Sequence, residues 1–330
     1  MKLIRNVLVP TWILACCATI AVHSAAVADG REPDDLTLHF EVKKVDDKTP
    51  TAMVQLQYAD SDLARRPVIL MLGSLDEKQP PEWSLDLLRD GYMLAAFAVA
   101  HEPDPDPEKR PVWLSFDQRF AHSYVLGGSR APGDAGRVMD YLSTRPDVNA
   151  EKFGWMGSSS TGIPGLSVAA REPRLKAIVT FVATGAYEQW LQSWHTNGLW
   201  RAESKELWPE TIALLKDDPI RHVRGLYPTA VLMVCGGGDK IVDPATTRAF
   251  YEAAVPYYED DPARLRMVTY DGRGHNLPRD IISMYTQHWF RTYLHPTNPP
   301  PAPTHKPKSL DESVKETQIN SKQHKELVTD

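Results

Sequence analysis

Ser159, Asp239 and His275 are three residues whose types could together cleave an acyl bond. A serine hydroxyl attacks a carbonyl only when a base takes its proton, and that base needs a carboxylate to fix its tautomer and stabilise the imidazolium that forms. Ser159 lies in Gly157-Ser158-Ser159-Ser160-Thr161-Gly162, directly after an apolar run at 153–156 and before a helical pattern rich in small residues. Strand, sharp turn and helix are the setting of a nucleophile elbow, where G-x-S-x-G lifts the serine on a strained turn and the glycines avoid collision with neighbouring backbone. Here Thr161 stands in the place of the second glycine, and Gly162 follows one residue later. Three serines in a row also suit a polar turn that caps the next helix, a cap being worth about 1 kcal/mol. The motif alone leaves both readings open, and the rest of the chain favours the nucleophile.

Asp239 occurs in Gly236-Gly237-Gly238-Asp239-Lys240-Ile241-Val242-Asp243-Pro244, after an apolar run at 230–235. His275 closes Asp271-Gly272-Arg273-Gly274-His275, after a run at 266–270. Each of the three thus stands just past the carboxyl end of its own expected strand, the edge where open α/β sheets place their sites. Of the eleven histidines, His275 alone follows a strand in this way. Asp243 and Asp271 are rival acids, but Asp243 precedes Pro244 and reads as the cap of the next helix, while Asp271 is too near His275 in sequence to approach its far nitrogen easily. The chain has no H-E-x-x-H, no G-x-x-x-x-G-K and no dinucleotide fingerprint, and the acidic stretch 101–106 lacks the glycine turn of a calcium loop. No metal and no cofactor are expected.

The elements that must position these residues follow from hydrophobic periodicity. Alternation at 36–42 and 52–58 predicts an antiparallel strand pair at a sheet edge. Short apolar runs at 67–72, 92–100, 153–156, 177–182, 230–235 and 266–270 read as buried strands, mostly separated by helical patterns at 134–144, 160–170, 244–258 and 278–293. In the last helix Ile281, Tyr285, Trp289 and Tyr293 fall four apart and should form one buried stripe. The pattern predicts an α/β fold, a mostly parallel eight-stranded sheet with helices on both faces. One segment, about 184–228, is too long for a simple connection and carries Trp190, Trp194, Trp200 and Trp208. It reads as a helical cap or lid, with Trp190, Trp194 and Trp200 as candidate walls of a substrate pocket.

The two ends do not look like domain. Lys2 and Arg5, an apolar run at 7–22 and Ala26-Val27-Ala28 describe a secretory signal peptide, 1–28, so a secreted or periplasmic location with no stable membrane span after cleavage is expected. Lipidation at Cys16 is the less favoured alternative, because Leu14 is unusual in a lipoprotein box and more apolar sequence follows. Removing 1–28 leaves Cys235 as the remaining cysteine, which excludes a disulfide framework. Six of the twelve residues at 296–307 are proline and the rest to 330 is polar, so 296–330 reads as a disordered tail after a domain at 29–295. Lys+Arg 37 against Asp+Glu 43 gives a net charge of −6, which offers no basic field for nucleic acid.

Over 67–293 the chain resembles the dienelactone hydrolase and prolyl-oligopeptidase-like esterase group of the α/β-hydrolases. The carriers of the resemblance are the Asp239 loop, similar to G-x-x-D-x-x-V-P, the G-x-G-H at Gly272 to His275, and 251–265 with Tyr257-Tyr258-Glu259-Asp260-Asp261-Pro262. The departures are Thr161 and Leu72-Gly73-Ser74, where members often carry His-Gly. The resemblance implies the α/β-hydrolase fold and an oxyanion hole made by the backbone N–H of Ser160 with that of Ser74, or alternatively of Leu75. It implies hydrolysis of a small-molecule carboxylic ester through an acyl-enzyme. An acyltransferase with the same triad, and a non-catalytic binding protein on a decayed fold, are the alternatives. An ester is expected over a peptide, because about forty residues between 28 and 67 are too few for the propeller of the peptidases.

Overall fold

A computed structural model of the chain describes residues 36–45, 53–99, 116–200 and 206–296. The chain divides into two units, 1–296 and 297–330. The segments read as signal peptide and tail, with Cys16 and the acidic stretch 101–106, lie outside the described residues.

Along the chain the elements are β1 (Leu38–Lys44), β2 (Met53–Ala59), β3 (Arg66–Leu72), α1 (Leu85–Arg89), β4 (Met93–Phe97), α2 (Phe116–Ser143), β5 (Val148–Ser158) and α3 (Gly162–Arg171). There follow β6 (Leu175–Phe181), α4 (Tyr187–Thr196), α5 (Pro209–Leu214), β7 (Ala230–Gly236), α6 (Pro244–Ala254), β8 (Leu265–Tyr270) and α7 (Arg279–Tyr293). The eight strands form one sheet in the order β1-β2-β4-β3-β5-β6-β7-β8. β1 pairs antiparallel with β2, and β2 with β4. All other pairings are parallel. This is the α/β fold expected, with the antiparallel pair at the edge. Every residue of β4 and β7 is buried, which is why these strands are continuously apolar in the sequence.

Both faces of the sheet are covered, and β5 shows how one strand serves two cores. Neighbouring side chains on a strand point to opposite faces. A Cβ on Gly154 would lie 2.7 Å from Leu294 and 2.8 Å from Phe290, so α7 lies tight on that face. Trp155, fully buried, points the other way, edge-on to Phe97 at 5.9 Å and against α3 at Gly165, whose missing side chain makes the room. Removing such a side chain costs about 3 to 5 kcal/mol.

Three details differ from the sequence reading. α2 starts at Phe116 and not at 134, running through Gly127, Gly128, Pro132 and Gly133, which in isolation mark turns. One of them serves close packing: a Cβ on Gly128 would collide with the Tyr187 hydroxyl, whereas Gly127 and Gly133 face open space, and Ala131 and Ala135 on the same helix are fully buried. The helix carries the interior Pro132, which in isolation costs about 3 kcal/mol, within this buried packing. The stripe of α7 holds at Ile281, Tyr285 and Trp289 but passes to Phe290 and Leu294 at its end, since Tyr293 is half-exposed and donates its hydroxyl to the Ala263 carbonyl at 2.8 Å. β5 is longer than 153–156 because Val148 already pairs with Arg66, ahead of a register shift.

The segment between β6 and β7 contains α4, α5 and short 3-10 turns at Leu215–Asp217 and Pro219–Gly225. It builds a second apolar cluster, in which Tyr187, Trp190, Leu191, Trp194 and Trp200 pack with Ala121 and Val125 of α2, Ile163 of α3 and Val242. Asp218, buried, accepts the first backbone N–H groups of α4, from Tyr187 and Glu188, at 3.0 Å each. A carboxylate at a helix N-terminus is favoured by the orphan donors and the helix dipole.

Candidate active site

β5 ends at Ser158 and turns abruptly through a 3-10 turn, Ser159–Thr161, into α3. Ser159 has φ 49, a left-handed conformation that costs a non-glycine residue about 1 to 2 kcal/mol. The neighbours make the turn obligatory. A Cβ on Gly157 would lie 2.5 Å from the Thr161 carbonyl oxygen and 2.7 Å from Gly162 Cα, and one on Gly162 would lie 2.8 Å from Ala183 Cβ. Close approach therefore falls on Gly162, not on the position that Thr161 occupies. The Thr161 side chain instead closes the turn: its Oγ1 accepts the Ser158 N–H at 2.9 Å and donates to the Ser158 carbonyl at 3.0 Å.

The loop after β7 brings Asp239 to the same edge. Gly236 is required there, because a Cβ would meet the Gly274 carbonyl at 2.2 Å. Asp239 is buried, and its Oδ1 accepts the backbone N–H of Ile241 at 2.8 Å and of Val242 at 3.0 Å. Its Oδ2 lies 2.8 Å from Nδ1 of His275, on the loop after β8. The other ring nitrogen, Nε2, lies 2.8 Å from Ser159 Oγ. Carboxylate, imidazole and hydroxyl thus form one continuous chain, drawn from three strand ends up to 116 residues apart. With Nδ1 protonated toward Asp239, Nε2 is the acceptor that can take the serine proton.

Asp243 caps α6, its Oδ1 accepting the Ala245 N–H at 2.9 Å, as its place before Pro244 predicts. Burial pushes the Cys235 thiol up to about 11, so this side chain stays protonated and unreactive.

Of the two backbone donors expected near the nucleophile, Ser160 is second in its 3-10 turn, where an N–H has no intrahelical acceptor. In the loop after β3, Gly73 gives its N–H to the Phe97 carbonyl at 3.0 Å, and Leu75 gives its own to Gln55 Oε1 at 2.7 Å. Of Ser74 and Leu75, therefore, Leu75 is already committed. Gln57 of β2 adds a second brace, Nε2 to the Asp76 carbonyl at 2.9 Å. These glutamines were not singled out in the sequence, although two polar residues at i and i+2 in an otherwise apolar strand are the signal that finds them.

Trp190, Trp194 and Trp200 sit in the second apolar cluster with exposures of 1, 7 and 9%. Their placement is that of packing residues, with α4 turned toward the body. The indole N–H groups of Trp190 and Trp194 both go to one backbone carbonyl, that of Ile241.

No protein-family profile matches the chain. A curated protein of Bacillus subtilis (strain 168), YitV, named as a candidate esterase, is 26% identical over 166 residues, covering 49% of this chain and 65% of its own length. The match thus spans less than two thirds of that relative. Among solved structures, a candidate dienelactone hydrolase from Klebsiella pneumoniae subsp. pneumoniae MGH 78578 superposes with TM-score 0.52 at 15% identity, covering 78% of this chain and all (100%) of that one. A structure from a study of two prolyl endopeptidases superposes with TM-score 0.57 at 18% identity, covering 81% of this chain and 40% of that one. By strand order and by these neighbours, the chain has the α/β-hydrolase fold and is similar to its dienelactone hydrolase and prolyl-peptidase-like members.

Proposed function

We propose that this chain is a serine hydrolase of small carboxylic esters that works through an acyl-enzyme. The observation that carries the reading is the unbroken relay from Asp239 Oδ2 through His275 to Ser159 Oγ, 2.8 Å at each link. Ser159 Oγ attacks the ester carbonyl as His275 Nε2 takes its proton. The imidazolium is stabilised by Asp239 and returns the proton to the leaving alcohol. Water then enters, gives a proton to Nε2, and its oxygen attacks the acyl carbon; the proton goes back to Ser159 as the acid leaves. The N–H groups of Ser160 and Ser74 receive the oxyanion in both steps, a contribution of about 10²- to 10³-fold per donor in such sites.

An ester is preferred to an amide on chemical grounds, since an amine leaving group must be protonated in the transition state. The name of the Bacillus relative supports the same substrate class. The reading also takes 1–28 as a secretory signal, which N-terminal sequencing of the exported protein would test by a start at Asp29. The decisive measurement is labelling by a fluorophosphonate together with turnover of nitrophenyl esters of increasing chain length, each compared with Ser159→Ala. Labelling and turnover that both vanish in the variant are expected; a wild-type chain that neither labels nor turns over any ester is a binding protein on a hydrolase fold.

A further inference from the structure

The acid loop is held from outside the sheet. Its inner side is Asp239 itself, which turns the loop by accepting the Ile241 and Val242 N–H groups. Its outer side is gripped by one helix of the segment between β6 and β7. Trp190 Nε1 and Trp194 Nε1, one turn apart on α4, donate to the Ile241 carbonyl at 2.7 and 2.8 Å, filling both lone-pair positions of that oxygen. The two rings meet edge to face, 5.5 Å between centroids. Asn197, at the end of the same helix, donates through Nδ2 to the Lys240 carbonyl at 3.2 Å. Val242, fully buried, packs into the aromatic cluster these residues build. The Ile241 carbonyl that the indoles hold and the Val242 N–H that Asp239 Oδ1 accepts belong to one peptide unit, so a shift of the indoles moves the carboxylate.

We propose that α4 is a positioning element for Asp239: Trp190, Trp194 and Asn197 fix the turn 239–243 in the register that aims the carboxylate at His275. This rests on the hydrolase reading above and extends it, assigning to the tryptophans a task in catalysis without contact with substrate.

The test uses the full chain. Phenylalanine keeps an aromatic ring in the cluster but removes the indole N–H together with the fused pyrrole, so Trp190→Phe/Trp194→Phe should lower kcat about 10- to 100-fold on a small nitrophenyl ester with KM changed less than about twofold, because misplacement of order 1 Å in a relay has that cost. Amide hydrogen exchange at Ile241 and Val242 should rise about tenfold or more while core strands stay protected. The two single variants each keep one bond and give the same two readouts at smaller amplitude if the double variant does not fold. In an Asp239→Ala background, where no carboxylate remains to be aimed, the same Trp→Phe changes should cost less than about twofold in fluorophosphonate labelling rate. Equal fold-losses in both backgrounds, or unchanged exchange at Ile241 and Val242, would overturn the proposal. Failure of the underlying hydrolase reading looks different: Ser159→Ala would then turn over ester as fast as wild type, whatever the exchange measurement gives.

Discussion

The nucleophile elbow and the acid loop lie at the same sheet edge, yet they are held in opposite ways. At the elbow the determinants are mainly local, within six residues: Gly157 has no room for a side chain against Thr161 and Gly162, Thr161 ties back to Ser158, and Ser159 accepts the positive φ that results, with Ala183 against Gly162 as the one distant wall. The acid loop is turned locally by Asp239 but is also gripped by residues 47 to 51 positions away in sequence, through the Ile241 carbonyl. A local turn is built by sterics and survives changes elsewhere, whereas a loop held by another element inherits the stability of that element. The two regions should therefore respond to different substitutions.

The largest effects belong to the reacting groups. Ser159→Ala should lower kcat about 10⁴-fold or more, while Ser158→Ala and Ser160→Ala cost far less, since Ser160 contributes only its backbone. Inactivity of Ser158→Ala with an active Ser159→Ala would put the elbow one residue out of register. Asp239→Asn should leave folding intact and lower kcat by a similar order, and Asp243→Asn should act mildly through the α6 cap alone. Matching losses in the two variants would dissolve the distinction between relay and cap.

Smaller effects separate local from remote support. Thr161→Val keeps the shape but leaves the Ser158 N–H and carbonyl without the hydroxyl, at a cost of about 1 to 3 kcal/mol in the elbow. Thr161→Ser should restore activity and melting temperature nearly to wild type, and a serine variant as damaged as the valine would remove the hydroxyl from the account. Trp200→Ala should lower the melting temperature through lost packing, with the ester chain-length profile unchanged; a shifted profile would return Trp200 to the pocket wall.

The smallest effect lies far from the site. Arg145, by hydrogen-bonding to it, holds the Glu41 carboxyl down from its ordinary 4.5 to about 2. A carboxylate with a depressed folded-state value contributes stability that is fully present above about 4.5 and is lost as pH falls toward about 2. Because the pair is partly solvated, Glu41→Gln should change stability by less than about 1 kcal/mol at neutral pH and flatten the acid limb of the melting-temperature curve. An acid limb identical in the variant would place that pH dependence elsewhere.

Ser159, Asp239 and His275 were legible in the sequence because each stands within a few residues of a strand end, and apolar runs with turn residues after them are local signals. The alternation of β1 and β2 and the buried runs of the parallel strands were legible for the same reason, so chain order alone placed all three residues at one sheet edge. What the sequence left undecided were questions of partnership. Gly128, amid Gly127, Pro132 and Gly133, looks like part of a break until Tyr187 is set against it. Ser74, with Leu75 as the alternative, is as far as the sequence goes for the second backbone donor, until Gln55, twenty residues earlier, takes the N–H of Leu75. Trp190 and Trp194 at i and i+4 announce a helix face with nothing to say what lies opposite, and only the folded chain supplies the Ile241 carbonyl. Periodicity and turn chemistry are written into neighbouring residues, while a hydrogen-bond partner or a clash is a distance between segments that only tertiary packing brings together.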